Sequence, residues 1–112
     1  MSFLVSHRAI DVTAFRASLE DHGCGAAVFF EGRVRNHNDG RAVAKLEYEI
    51  YEPIAISEGQ RIVDEAARRW SIERAGGIHR GGLLTLGEVA VIVGVASAHR
   101  DEAFQAARYI ID

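Results

Sequence analysis

An α+β domain, with helices packed on a mostly antiparallel sheet, is what this sequence predicts, and three observations point there. Strand-like and helix-like patterns alternate from end to end with no internal repeat or low-complexity tract. Val89–Ala96 is apolar throughout and rich in β-branched residues, as suits a strand lying centrally in a sheet. At 112 residues, 48% hydrophobic and 26% charged, the chain has the balance of one soluble globular domain. A chain of this size buries roughly two-thirds of its unfolded surface in a single core.

Taken in order, residues 2–7 predict a short first strand. Asp11 is placed to cap a helix over about 12–21, where Phe15 and Leu19 share a face and Gly23 lies just past the end. The apolar, aromatic run from Gly25 to Arg35 predicts a buried strand, followed by turn chemistry in Asn36-His37-Asn38-Asp39-Gly40. From Val43 to Tyr51 the pattern alternates: Leu46, Tyr48 and Ile50 face one way, and Lys45, Glu47 and Glu49 the other, which predicts a half-buried antiparallel strand.

Pro53 breaks that strand. Ile62, Val63, Ala66, Ala67 and Trp70 then mark one face of a helix over about 55–70. Two glycine pairs, Gly76-Gly77 and Gly81-Gly82, bracket a short or bulged strand at Ile78-His79-Arg80, and Leu86-Gly87-Glu88 predicts a tight turn. The strand at Val89–Ala96 ends at Ser97. Beyond it Asp101 and Glu102 suit a first helical turn, and Ala103, Phe104, Ala107, Ile110 and Ile111 recur at helical spacing.

Composition excludes several functions. A net charge of −3 and an acidic balance argue against a general nucleic-acid binder, which needs a basic face to neutralise many phosphates. No apolar stretch approaches the roughly 18 residues of a membrane helix and Phe3-Leu4-Val5 is too short for a signal-peptide core, so a cytoplasmic protein is expected. The single cysteine, Cys24, excludes an intrachain disulfide and reads as a small residue inside a strand. The histidines lack zinc-site spacing, and no metal or cofactor is expected.

Positive charge is concentrated locally. Phe30-Glu-Gly-Arg-Val-Arg-Asn-His-Asn38 carries Arg33, Arg35 and His37 at a strand end, and Ser97-Ala-His-Arg100 places His99 and Arg100 at a helix start. Folded together, the two segments would make a pocket for phosphate or a similar oxyanion, because backbone amides at a helix N-terminus already favour an anion. Plainer readings exist. Arg33 and Arg35 fit a solvated strand edge paired with Glu47 or Glu49, His37 fits an ordinary polar turn, and His79 fits a satisfied, half-buried histidine. His99 and Arg100 are harder to explain away, since cations at a helix N-terminus oppose its dipole unless an anion joins them.

These segments carry a family resemblance. Phe30-x-Gly32-x-Val34-Arg35-Asn36-His37-Asn38, then Leu46-x-Tyr48-x-x-Tyr51, Ile78-His79-Arg80, and Val93-Gly94-Val95-x-Ser97-Ala98-His99-Arg100 followed by Ala103-Phe104 resemble, in order, the large catalytic subunit of molybdopterin synthase, the MoaE family. The resemblance implies a hammerhead-like α+β fold and a sulfurtransferase of molybdenum cofactor biosynthesis. Its substrate would be cyclic pyranopterin monophosphate (precursor Z). Its sulfur donor would be the thiocarboxylate on the Gly-Gly tail of a small ubiquitin-like subunit, and a homodimer carrying one small subunit at each end would give a heterotetramer.

Residue by residue, the resemblance places Arg33, Val34 and Arg35 on one wall of the substrate pocket, His99 and Arg100 on another, and Phe30 and Ile111 beside it. Arginine suits that task, since its planar fork holds phosphate bidentately. The departure is at the C-terminus. Family members continue into a lysine-bearing segment with a candidate catalytic role, whereas here Lys45 is the only lysine and the sequence stops at Asp112 with no capping glycine. A longer native protein is therefore expected, residues 1–112 being one domain without its tail. The alternative is a shortened, noncatalytic relative that dimerises and binds the small subunit or the pterin without turnover.

Overall fold

The computed structural model describes residues 1–38, 41–42, 45–48 and 50–112, with the side chains of 37–49 left aside. The main sheet has four strands. They are β1 (Ser2–Ser6), β2 (Ala26–Arg33), β6 (Arg74–Arg80) and β8 (Val89–Ser97), in the order β1-β6-β8-β2. The β1–β6 pair is parallel and the other two are antiparallel, so β8 is interior, as its unbroken apolar run predicts. Two small ladders flank it, β3 (His37–Asn38) with β4 (Arg41–Ala42) and β5 (Lys45–Tyr48) with β7 (Gly82–Thr85).

Helix α2 (Glu52–Arg69) and helix α3 (Arg100–Ile111) cover one face of the sheet. Alternation along the strands sends Val93 and Val95 of β8 and Ala75 of β6 to this side, where Val63, Ala66, Ala103, Ala106, Ala107 and Ile110 close the main core. Ile92 points the other way and packs with Phe15 and Leu19 of and beside helix α1 (Val12–Ser18). The helices are joined at their far ends by Trp70, whose ring lies 5.4 Å from that of Tyr109 and whose indole N–H donates to Gln105.

Two contacts fix β1. Its Phe3 ring occupies room made by glycines: a methyl on Gly59 of α2 would come within 2.2 Å of that ring, and one on Gly77 of β6 within 2.9 Å. The side chain of Gln60 accepts from the Phe3 N–H at 3.0 Å and donates to the Met1 carbonyl at 3.0 Å, standing where a neighbouring strand would. No helix among the described residues is long and apolar enough to cross a membrane.

Several expectations are corrected. Helix α1 ends at Ser18 rather than near residue 21, because Asp21 turns the chain by accepting the Gly23 N–H at 2.8 Å. Cys24 precedes β2 rather than lying inside a strand, and desolvation raises its thiol above the ordinary value. Strand β2 lies at the edge of the four-stranded sheet and has no fully buried residue, so the aromatic run is not interior and Phe30 remains 43% exposed. Helix α2 starts at Glu52, with Pro53 in its first turn, where its missing N–H costs nothing. Gly76-Gly77 lie within β6 instead of bounding it. The strand pattern of 43–51 is observed over Lys45–Tyr48, and the facing of Lys45, Leu46, Glu47, Tyr48 and Glu49 lies outside the described residues.

Candidate functional site

At one end of the β2–β8 ladder the chain carries Arg33, Val34 and Arg35. The register shifts between Gly32 and Arg33, opposite Val89, so the segment leaves the regular ladder there. Val34 is then held by the β7–β8 turn: its N–H donates to the Glu88 carbonyl at 3.0 Å, and its own carbonyl accepts from the Gly87 N–H at 2.8 Å. Its side chain is buried against Leu84 and Ala90. Val34 is thus an anchor, and the arginines on either side of it are directed toward the surface, where both are exposed. Arg33 pairs with Glu31 at 3.3 Å, and the side chains of Glu47 and Glu49, the partners expected for it, lie outside the described residues.

The turn itself is braced from below. Gly87 adopts φ +78°, the left-handed conformation that glycine takes without strain. The Glu88 carboxylate accepts the Thr85 N–H at 3.0 Å and pairs with Arg80 at 3.1 Å, the two side chains being only 18% and 11% exposed. In the sequence Arg80 reads as part of a strand and Glu88 as part of a turn. Their partnership is visible only once β6 and β8 lie side by side. His79 is half-buried, its Nδ1 3.0 Å from the Arg80 carbonyl, in line with the plainer reading of that residue.

His99 and Arg100 lie at the opposite end of the same ladder. Ser97, paired with Ala26, is fully buried, and its hydroxyl donates to the His99 carbonyl, fixing the entry into α3. His99 is the N-cap and makes no side-chain capping bond; Arg100 is the first helical residue, and both are exposed. Phe104, one turn on, is 61% exposed. Ile111 is partly buried against the main core at the other end of α3, and Phe30 is opposite Val93. His37 is in β3, with its side chain outside the described residues.

The expectation that one chain folds both cationic segments into one cavity is therefore not met. Seven strand steps separate the ends of the ladder, roughly 23 Å at about 3.3 Å per residue. Two surface clefts, of about 480 and 440 Å³, lie elsewhere. One is between α1 and the β1–β6 edge, and the other is the apolar hollow of Phe3, Ile50, Ile54 and Ile110 at the start of α2. Among the described residues neither is lined by the candidate pocket residues, so charge and geometry, rather than cavity size, define the site.

Comparison with known proteins gives these features their context. A family model described as MoaE protein matches residues 5–112. A molybdopterin synthase catalytic subunit from Thermoplasma volcanium is 48% identical over 88 residues, 79% of this chain and 64% of that protein. One from Escherichia coli is also 48% identical over 88 residues, covering 79% of this chain and 59% of that protein. The chain thus spans about two-thirds or less of the length of these curated relatives. The crystal structure of molybdopterin synthase from Staphylococcus aureus superposes with a TM-score of 0.88 at 32% identity, covering 98% of this chain and 79% of that one. The α+β fold, the order of the motifs and the family match agree, and the chain belongs to the MoaE family.

Proposed function

We propose that this protein acts as the large subunit of a molybdopterin synthase, moving sulfur from a thiocarboxylated small subunit to cyclic pyranopterin monophosphate. The observation that carries the reading is the pairing of two built cationic ends, Arg33-Val34-Arg35 on its turn and His99-Arg100 at the start of α3, in a chain of this family. The relatives bear the name of the catalytic subunit, and a structure described as a complex of subunits 1 and 2 of the molybdopterin-converting factor from Helicobacter pylori shares the fold, with a TM-score of 0.79 at 18% identity.

Because one protomer keeps its two cationic ends apart, the pocket is completed in a homodimer, where a two-fold axis sets Arg35 of one copy beside His99 and Arg100 of the other. Phe30, Ile111 and His37 belong to its surroundings. The substrate phosphate and the donor thiocarboxylate are both anions. The arginines offset their repulsion and hold the phosphate through charge-assisted hydrogen bonds, which strengthen as water is excluded. The lysine-bearing continuation implied by the resemblance would complete the chemistry, and a cytoplasmic setting goes with this reading.

Reconstitution tests it. The protein is mixed with thiocarboxylated small subunit and cyclic pyranopterin monophosphate, and dithiolene formation is followed. Sulfur transfer is expected; binding of both without turnover would favour the noncatalytic reading, and binding of neither would overturn the assignment. In the same system Arg35→Ala is expected to weaken pterin binding by about 2–3 kcal/mol, the loss of a charged hydrogen-bonded contact, measured by calorimetry.

A further inference from the structure

We propose that Arg80 and Glu88 are positioning residues for the Arg33-Val34-Arg35 segment, acting through the Gly87-Glu88 turn; this rests on the pocket reading above. The chain of contacts is continuous. The Arg80 guanidinium holds one oxygen of the Glu88 carboxylate at 3.1 Å, and the Thr85 N–H holds the other at 3.0 Å. The same Glu88 accepts the Val34 N–H through its backbone carbonyl at 3.0 Å, and the neighbouring Gly87 N–H reaches the Val34 carbonyl at 2.8 Å. Val34 is the residue between the two arginines.

This clip matters because the regular ladder has already been lost at this point. The register shift between Gly32 and Arg33 moves Arg33 onto Val89 at the very start of β8, so the direction of Val34 and Arg35 beyond it is set by the turn that holds Val34. A β-turn alone is a soft support. Arg80 stiffens it because the pair is mostly buried, with side chains 11% and 18% exposed, and removing either charge would strand the other in a poorly solvated place. Arg80 also donates to the Gly81 carbonyl at 2.9 Å, and the Gly81 N–H donates to Ser6 of β1 at 2.8 Å. The segment carrying Arg35 is thus referred through Glu88 and Arg80 to the body of the sheet.

The test is a set of calorimetric titrations with cyclic pyranopterin monophosphate. Glu88→Gln keeps the shape of the side chain and removes its charge, and about tenfold weaker binding is expected, the scale of a misaligned contact. Gly87→Ala is the second variant. Among the described residues its added methyl meets nothing within 4 Å apart from its chain neighbours, so its effect comes from the φ +78° backbone, and the same direction of change is expected even if Glu88→Gln folds poorly. The decisive readout is coupling. Glu88→Gln combined with Arg35→Ala should bind no more weakly than Arg35→Ala alone, whereas combined with Arg100→Ala the losses should add. Wild-type binding by both single variants, or losses that add fully with Arg35→Ala, would overturn the positioning role while leaving the pocket intact. If Arg35→Ala itself binds like wild type, the pocket reading falls and this one with it.

Discussion

Asp21 shows how much one side chain does at the foot of α1. Its carboxylate accepts the Gly23 N–H and pairs with Arg74 at 3.3 Å, and these contacts, the backbone one foremost, lower its pKa below the ordinary 3.8. A depressed folded-state value means that the stabilisation is complete above the unfolded value and disappears as pH falls through the folded one. Asp21→Asn should therefore lower the urea midpoint near neutral pH and converge with wild type in acid, below the ordinary aspartate range. A gap that persists unchanged in acid would exclude the charge as its cause. Composition and spacing made the arginines, histidines and the Asp11 cap legible, and Asp11 does accept the Ala14 N–H at 3.0 Å. The Arg80–Glu88 pair was illegible because its members are eight positions apart, one at the end of β6 and the other in the turn before β8, and no local rule couples them.

Among the elements, α2 and β1 meet through an unusually close approach. Gly59 of α2 is buried against the Phe3 ring, and alanine there would gain helix propensity while forcing its methyl to within 2.2 Å of an aromatic carbon. The clash outweighs the propensity gain of about 1 kcal/mol, and Gly59→Ala is expected to destabilise by a net 1–3 kcal/mol or so in denaturant titrations. Unchanged stability would mean that the ring has room to swing away. Periodicity located α2, α3 and β8 well, since long amphipathic or β-branched runs declare themselves. It misjudged β6, because Gly76-Gly77 have the look of punctuation in one dimension. In three dimensions Gly77 is where one edge of a ring comes close to the strand, a constraint set by Phe3 some seventy positions earlier.

Across the molecule as a whole, the long β2–β8 ladder decides how the two cationic ends relate. The sequence let each end be recognised and left their separation invisible, because the antiparallel register of Ala26 with Ser97 and Arg33 with Val89 appears only on folding. A dimer-completed pocket makes a quantitative prediction. Arg35→Ala and His99→Ala/Arg100→Ala proteins, each impaired alone, should regain roughly a quarter of wild-type activity when co-refolded in equal amounts, since half the dimers are mixed and each has one intact site. No recovery in the mixture, with mixed dimers verified by mass, would return the site to a single protomer.

The Gln60 amide has one more consequence. By answering the Met1 carbonyl and the Phe3 N–H at once, it makes the start of that margin of the sheet unavailable to a passing strand from another molecule. Gln60→Leu would leave both groups searching for partners beside a newly greasy side chain. Light scattering of the concentrated, folded variant should rise with time where the parent solution stays clear, and an equally clear variant would show that solubility is guarded elsewhere.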